Sequence, residues 1–318
     1  MMEYRILGNT GEKISAIGLG AWQFSESWGV LDYEVAKQVI EEAYLQGINF
    51  IDTAIVYGKG RSEEYVGRAI NELKIQDDVY VATKIPGEML SEHDVLLALK
   101  GSLRRLRIDH IDLIQVHWPP IWNNVPTCTY MRALEKAVFF GMADYIGVSN
   151  FPPILIEEAQ SCLAREEIVS VQVRYNLIER EAELEILPYT QATNMTLIAW
   201  SPLAKGALTG KYRAGKTPIF NDVRASEPIF IDENLKAIEP LLQKIEELAS
   251  KYGKTPSQIA LNWLLNSSDN VVPIPGAKSK EQVRENAGAV GWSLTRDDWL
   301  DLAFISSSII IKRSLAIP

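Results

Sequence analysis

The sequence predicts an α/β fold, a single (β/α)8 barrel over residues 1–318, with an N-terminal β-hairpin and long loops at the carboxyl face. Eight short apolar, β-branched runs recur with start-to-start spacings of 32, 31, 32, 33, 25, 27 and 75 residues. Near-constant spacing over most of the chain marks a repeated strand-helix unit. The intervening stretches carry apolar residues at helical intervals, and no linker rich in Pro, Gly and Ser divides the chain. Eight such units without a break favour a closed barrel over a doubly wound sheet.

In order, Tyr4-Arg5-Ile6-Leu7, the turn Gly8-Asn9-Thr10-Gly11 and Lys13-Ile14-Ser15 form the pattern of a hairpin placed to close the barrel's base. The eight strand candidates are residues 16–21, 48–53, 79–84, 111–117, 144–149, 169–174, 196–201 and 271–275. The fourth, with Ile111, Leu113, Ile114 and Val116, is apolar along most of its length, as suits a parallel strand covered on its outer face. Asp32 is placed to cap a first helix whose apolar positions are Val35, Val39, Ile40, Ala43 and Tyr44. Ser62 with Glu63 and Glu64 is expected to open the second helix, and Ser91 with Asp94 three residues on opens the third. The seventh interval holds residues 206–228, irregular and rich in Gly, Pro and charge. A loop this long within a compact domain is usually functional.

Composition narrows the function. At 47% hydrophobic and 23% charged, the chain is neither disordered nor collagen-like nor a disulfide scaffold. Forty-one acidic against 32 basic residues give a net charge of −9, without the basic excess that nucleic acid requires. Cys128 and Cys162 are too few for a disulfide framework and are expected as two free thiols of a cytoplasmic protein. Glu3, Arg5 and Gly8 stand where a secretory signal needs an apolar region, and no apolar run approaches the ~20 residues that cross a membrane.

Several motifs fail. Gly18-Leu19-Gly20 lacks the third glycine of a dinucleotide fingerprint, since Gln23 stands there, and reads as a turn. Gly206-Ala207-Leu208-Thr209-Gly210-Lys211 has glycines too close for a phosphate loop, with Tyr212 where Ser or Thr must hold magnesium. His93, His110 and His117 show no metal-ligand spacing, so no metal is expected. No nucleophile elbow is present.

Chemistry in such a barrel gathers at the carboxyl ends of the strands. There the second strand ends in Asp52 with Tyr57 in the following loop, the third in Lys84 and the fourth in His117. Buried together, Asp52 would hold Lys84 charged, and the ammonium would favour the Tyr57 phenolate, so Tyr57 is expected to titrate below its usual range. His117 would donate to a substrate oxygen. The set suits protonation of a carbonyl oxygen as something adds to its carbon, or the reverse, with the addend drawn from a cofactor.

Gly47-Ile48-Asn49-Phe50-Ile51-Asp52-Thr53-Ala54, followed by Tyr57-Gly58 and Ser62-Glu63, resembles the signature of the aldo-keto reductases. The resemblance runs from Tyr4 to about Phe304 through Ala82-Thr83-Lys84, Asp112-Leu113 with His117, Ile146-Gly147-Val148-Ser149-Asn150, Trp200-Ser201-Pro202-Leu203 and Ile274-Pro275-Gly276-Ala277. It implies a catalytic tetrad of Asp52, Tyr57, Lys84 and His117, with Tyr57 as general acid. It also implies a nicotinamide dinucleotide lying across the barrel mouth, with Ala21, Trp22 and Asp52 beside it. Ser149, Asn150 and Gln172 would grip the carboxamide and Trp200 would stack on the ring. Ser201, Pro202, Leu203, Ala204, Gly206 and Lys211 would cover the pyrophosphate, with Arg224 as a further contact. Gly276, Lys278, Gln282, Glu285 and Asn286 would hold the adenosine end, where Lys278 and Lys280 offer charge to a 2′-phosphate and favour NADPH over NADH.

An aromatic substrate wall is expected from Trp22, Phe24 and Trp28 after the first strand and from Trp118 and Trp122 after the fourth. The tail Ile309-Ile310-Ile311-Lys312-Arg313 would either add a basic contact or lie as a surface strand or disordered end. The function implied is NADPH-dependent reduction of aldehydes or ketones. A polyol or sugar dehydrogenase, and a cofactor-bound interaction protein resembling the potassium-channel β subunits, stand as alternatives. The expected partner is a small carbonyl compound, without nucleic acid or membrane; the oligomeric state is open, a monomer being compatible.

Overall fold

Strands β1 (Tyr4–Ile6) and β2 (Lys13–Ser15) form the expected antiparallel hairpin. The computed structural model describes residues 1–120, 125–216 and 219–313. Eight parallel strands follow in chain order, each paired with the next: β3 (Leu19–Gly20), β4 (Phe50–Asp52), β5 (Tyr80–Ile85), β6 (Ile111–Val116), β7 (Ala143–Ser149), β8 (Ile168–Arg174), β9 (Thr196–Trp200) and β10 (Val271–Pro273). The sheet closes on itself where Gly18 N–H donates to the Pro273 carbonyl at 2.9 Å and Gly20 N–H to that of Pro275 at 3.1 Å. A Cβ at Gly20 would lie 2.7 Å from the Ile274 carbonyl oxygen, so the seam requires glycine. Leu19-Gly20, within the first strand candidate at residues 16–21, is therefore the closing strand of a (β/α)8 barrel rather than part of a Gly18-Leu19-Gly20 turn.

Around the strands lie α1 (Tyr33–Leu45), α2 (Arg61–Leu73), α3 (Glu92–Leu106), α4 (Thr127–Phe139), α5 (Pro153–Ser161), α6 (Ile186–Thr193), α7 (Asp232–Tyr252), α8 (Pro256–Leu265), α9 (Lys280–Ala287) and α10 (Arg296–Ser307). Asp32 and Ser91 cap α1 and α3 as expected, accepting from the backbone N–H of Glu34 and Asp94. Val35 and Tyr44 of α1 are exposed, however, because Tyr33, Ala36, Val39, Ile40 and Ala43 make up the inward stripe. Helix α2 opens at Arg61 after Gly60, which places Ser62 and Glu63 buried in its first turn rather than at its cap. The seventh interval is long because short 3-10 turns and two helices, α7 and α8, occupy it.

Two apolar layers result. Leu7 and Ile14 from the hairpin pack with Phe50, Ala82, Leu113, Val169, Ile198 and Val272 inside the barrel, so the hairpin plugs its base. The larger layer lies between strands and helices. Cys128 of α4 and Cys162 at the end of α5 are joined in a disulfide, which corrects the expectation of free thiols. Their Cα atoms stand 4.9 Å apart although 34 residues separate them in sequence, a proximity that only helix packing creates. No helix among the described residues is long and apolar enough to cross a membrane.

Candidate functional site

Side chains alternate across a strand, so residues two apart share a face. Phe50, Ala82 and Leu113 fill the barrel interior, and Asp52, Lys84 and Gln115 therefore stand one layer above them, with Lys84 and Gln115 directly paired in register. On β7 the corresponding place is Gly147, where a Cβ would come within 2.5 Å of Ser170 Oγ and 3.0 Å of Gln115 Cγ. Its missing side chain leaves room for Gln115.

Lys84 is completely buried and donates to Asp52 Oδ1 at 2.5 Å, to the Thr53 carbonyl at 2.8 Å and to the Tyr57 hydroxyl at 3.3 Å. Asp52 Oδ2 accepts from Gln172 Nε2 at 2.8 Å and Gln115 Nε2 at 3.3 Å. Burial opposes the Lys84 charge, but Asp52 and Tyr57 outweigh it and hold the ammonium above its ordinary value. Burial raises the Tyr57 phenol further than Lys84 lowers it. This corrects the expected direction: the sequence weighed the neighbouring charge without the depth at which Tyr57 sits. His117 is driven down to about 2 by burial and then by Lys84, so its ring is neutral. Its Nδ1 is buried without a hydrogen-bond partner among the described residues, while its ring centroid lies 5.7 Å from that of Tyr57.

The Tyr57 loop is held from both sides. Ser62 Oγ donates to the Ala21 carbonyl at 2.8 Å and accepts from Thr53 Oγ1 at 2.8 Å. Glu63 accepts from Thr83 Oγ1 at 2.7 Å and from Arg105 Nε at 2.6 Å. Ser62 and Glu63 thus fasten the ends of β3, β4 and β5 together, a use that explains their place behind Tyr57.

Asp52, Tyr57 and His117 open into a cavity of about 640 Å³, within the usual range for ligand sites. Trp22, Trp28 and Trp118 line it near this group, followed by Ser149, Asn150, Gln172, Trp200, Ser201, Pro202, Leu203, Gly206 and Lys211. Arg224, Gly276, Lys278, Gln282, Glu285 and Asn286 also line it. Lys84 stands behind the wall. Ala21 is wholly buried and Ala204 faces a second cavity, so neither belongs to the first. Phe24 packs in the core, because the 3-10 turn Ala21–Phe24 puts Ala21 and Phe24 on one inward side. Trp122 lies outside the described residues. The tail also departs from expectation: Ile309, Ile311 and Arg313 line the second cavity, and Arg313 pairs with Glu181.

Hydrogen bonds fix what the polar wall can offer. Asn150 donates from Nδ2 to the His117 carbonyl at 3.0 Å and to Ser149 Oγ at 3.1 Å, and accepts from Trp200 Nε1 at 3.3 Å. Gln172 Nε2 also donates to Gln115 Oε1 at 3.3 Å, so what remains for a ligand is the Gln172 carbonyl oxygen. The Arg174 guanidinium lies 4.5 Å from the Trp200 ring centroid and fixes that ring. Arg224 donates to Asp222 and, at 2.6 Å, to the Tyr212 hydroxyl. Lys278 donates to the Trp28 carbonyl, and its value is lowered by burial, with Asp222 opposing and Arg224 reinforcing the shift. Sequence reasoning missed Gln115, Lys205, Tyr212 and Asp222; of these, Gln115 alone carried a signal, at a strand position two before His117.

In this (β/α)8 barrel Asp52, Tyr57 and His117 thus meet at one cavity, with Lys84 behind its wall. Residues 16–305 match the aldo/keto reductase family, and the chain belongs to that family. It is 35% identical to the aldo-keto reductase YhdN of Bacillus subtilis over 97% of this chain and 95% of that one. It is 34% identical to a probable voltage-gated potassium channel subunit beta of Arabidopsis thaliana, covering 91% of each. Among solved structures it matches the glycerol dehydrogenase AKR11B4 from Gluconobacter oxydans with a TM-score of 0.87 and 31% identity, over 99% of this chain and 98% of that one.

Proposed function

We propose that this protein reduces aldehydes or ketones to alcohols using NADPH, with Tyr57 as the proton donor. The observation that carries the reading is the Tyr57 hydroxyl held 3.3 Å from a Lys84 that is itself paired with Asp52, at one end of the cavity. The donor set fits a nicotinamide dinucleotide: amide and hydroxyl groups of Ser149, Asn150 and Gln172 near Tyr57, and the cations Lys278 and Arg224 on the same cavity wall. Bound NADPH supplies the hydride for the carbonyl carbon. Tyr57 stays protonated at neutral pH, because its phenol is raised, and gives its proton to the carbonyl oxygen. The Lys84 ammonium stabilises the phenolate left behind, and Asp52 keeps Lys84 charged and aimed. Neutral His117 hydrogen-bonds and orients the substrate oxygen. Trp22, Trp28 and Trp118 exclude water and favour an apolar or aromatic carbonyl compound.

The test is NADPH oxidation against a panel of aldehydes and ketones. Turnover that vanishes in Tyr57→Phe supports the reading. Tight cofactor binding without turnover of any carbonyl would instead favour an interaction protein of the channel β type. The glycerol dehydrogenase neighbour supports the same site run in reverse on a polyol, which the alcohol panel with NADP at alkaline pH addresses.

A further inference from the structure

Gln115 does not line the cavity, yet it is wholly buried among the groups that meet there. It stands on β6 opposite Lys84 in register, and Gly147 on its other side leaves room for its side chain. An ionised carboxylate accepts and cannot donate, so an amide that faces Asp52 presents its nitrogen. Gln115 Nε2 donates to Asp52 Oδ2 at 3.3 Å, and Gln115 Oε1 accepts from Gln172 Nε2 at 3.3 Å. Gln172 Nε2 also donates to Asp52 Oδ2, at 2.8 Å. The three side chains close a hydrogen-bonded triangle on one carboxylate oxygen.

The triangle bears on Tyr57 through the donors of Lys84. An ammonium has three N–H groups. Those of Lys84 serve Asp52 Oδ1, the Thr53 carbonyl and the Tyr57 hydroxyl. The Tyr57 contact, at 3.3 Å, is the longest of the three and so the first to be given up. Asp52 is 1% exposed, so water does not replace an amide withdrawn from Oδ2. Left short of donors, that oxygen would draw the Lys84 N–H now directed at Tyr57, and the phenolate formed on proton transfer would lose its stabilising hydrogen bond.

We infer that Gln115 is a positioning residue for the proton donor: together with Gln172 it saturates Asp52 Oδ2 and thereby leaves the third N–H of Lys84 to Tyr57. The kinetic consequence rests on the carbonyl reduction proposed above; the arrangement rests on the hydrogen bonds alone.

Gln115→Leu deletes the amide at similar volume, and Gln115→Glu restores a donor only while its carboxyl is protonated. Each full-length variant is assayed for kcat and KM in NADPH-dependent reduction of one aldehyde from about pH 5 upwards. Gln115→Leu is expected to lower kcat about tenfold while KM for the aldehyde changes less than about twofold. Gln115→Glu is expected to keep at least about half of the wild-type kcat at about pH 5, because a carboxyl pressed against Asp52 holds its proton there, and to lose that activity as the carboxyl ionises. A Gln115→Leu kcat within about twofold of wild type overturns the proposal. So does Gln115→Glu no faster than Gln115→Leu at the acid end, which marks packing alone. A second readout needs neither cofactor nor turnover. In protein labelled with 13Cζ-tyrosine, the resonance absent from Tyr57→Phe is expected to move at neutral pH in Gln115→Leu and to keep its wild-type position in Gln115→Glu at about pH 5. A Tyr57 resonance left in place by Gln115→Leu overturns the proposal. Wild-type protein that reduces no carbonyl removes the proposed reaction instead, and this resonance then decides the arrangement by itself.

Discussion

Lys84→Met removes one buried charge and leaves its partner in place. Asp52 would keep only the amide donors of Gln172 and Gln115 for a carboxylate that is 1% exposed. Breaking a buried ion pair in this way costs about 3–5 kcal/mol. For 318 residues the unfolding entropy is about 0.7 kcal/mol per kelvin, so the melting temperature should fall by about 4–8 °C. Lys84 has a folded-state value above its unfolded one. Its contribution is therefore fully present below about pH 10.4 and fades only as pH rises through the folded value. The deficit of the variant should accordingly be flat from neutral pH to about 10 and narrow above it. Adding Asp52→Asn should recover part of the loss, because no unpaired charge then remains.

The same substitution tests the proton donor. Burial raises the Tyr57 phenol and Lys84 opposes the rise, so removing Lys84 pushes the phenol higher still. Reduction needs the protonated phenol and oxidation needs its base form. The alkaline decline of reduction and the alkaline rise of oxidation should therefore both move to higher pH, with kcat reduced at least about a hundredfold. Thermal melts of the single and double variants, with pH profiles of kcat/KM in both directions, read these effects. A melting temperature lowered by less than about 1 °C, or a profile that does not move, would refute the coupled Asp52-Lys84-Tyr57 arrangement.

Tyr57→Phe should lower carbonyl reduction at least about a hundredfold while cofactor affinity measured by fluorescence changes less than about twofold. Lys278→Ala should weaken NADPH about tenfold more than NADH, since only the former carries the 2′-phosphate; equal losses in titration would assign Lys278 elsewhere. Reducing Cys128–Cys162 opens a loop spanning 34 residues, a loss of about 3–4 kcal/mol, so dithiothreitol should lower the melting temperature by about 5 °C. His117 is depressed to about 2, so the unfolded chain takes up a proton below about pH 6.5 that the folded one refuses. Stability should then fall by up to about 1.4 kcal/mol per pH unit below that point, and His117→Gln should remove this slope from denaturant titrations.

What the sequence made legible follows from where each residue sits. Asp52, Lys84 and His117 were found because they end strands whose carboxyl ends face the barrel mouth, and the structure adds that strand alternation from Phe50, Ala82 and Leu113 turns Asp52 and Lys84 inward. Gln115 obeys the same rule, but its partner Asp52 lies two strands away, and the room for it depends on Gly147 across the sheet. Lateral neighbours of that kind are set by register, which a linear pattern does not display. Loop residues have no alternation to inherit. Trp22, Phe24 and Trp28 look alike as aromatic residues after the first strand, yet the 3-10 turn Ala21–Phe24 sends Phe24 into the core, and the other two line the cavity. Depth is hidden for the same reason: the Tyr57 phenol rises because burial outweighs Lys84, and the Cys128–Cys162 pairing depends on two helices packing side by side. The Asp52, Lys84 and His117 group was therefore readable where the sheet dictates geometry, and the aromatic wall became readable only once the loops had a shape.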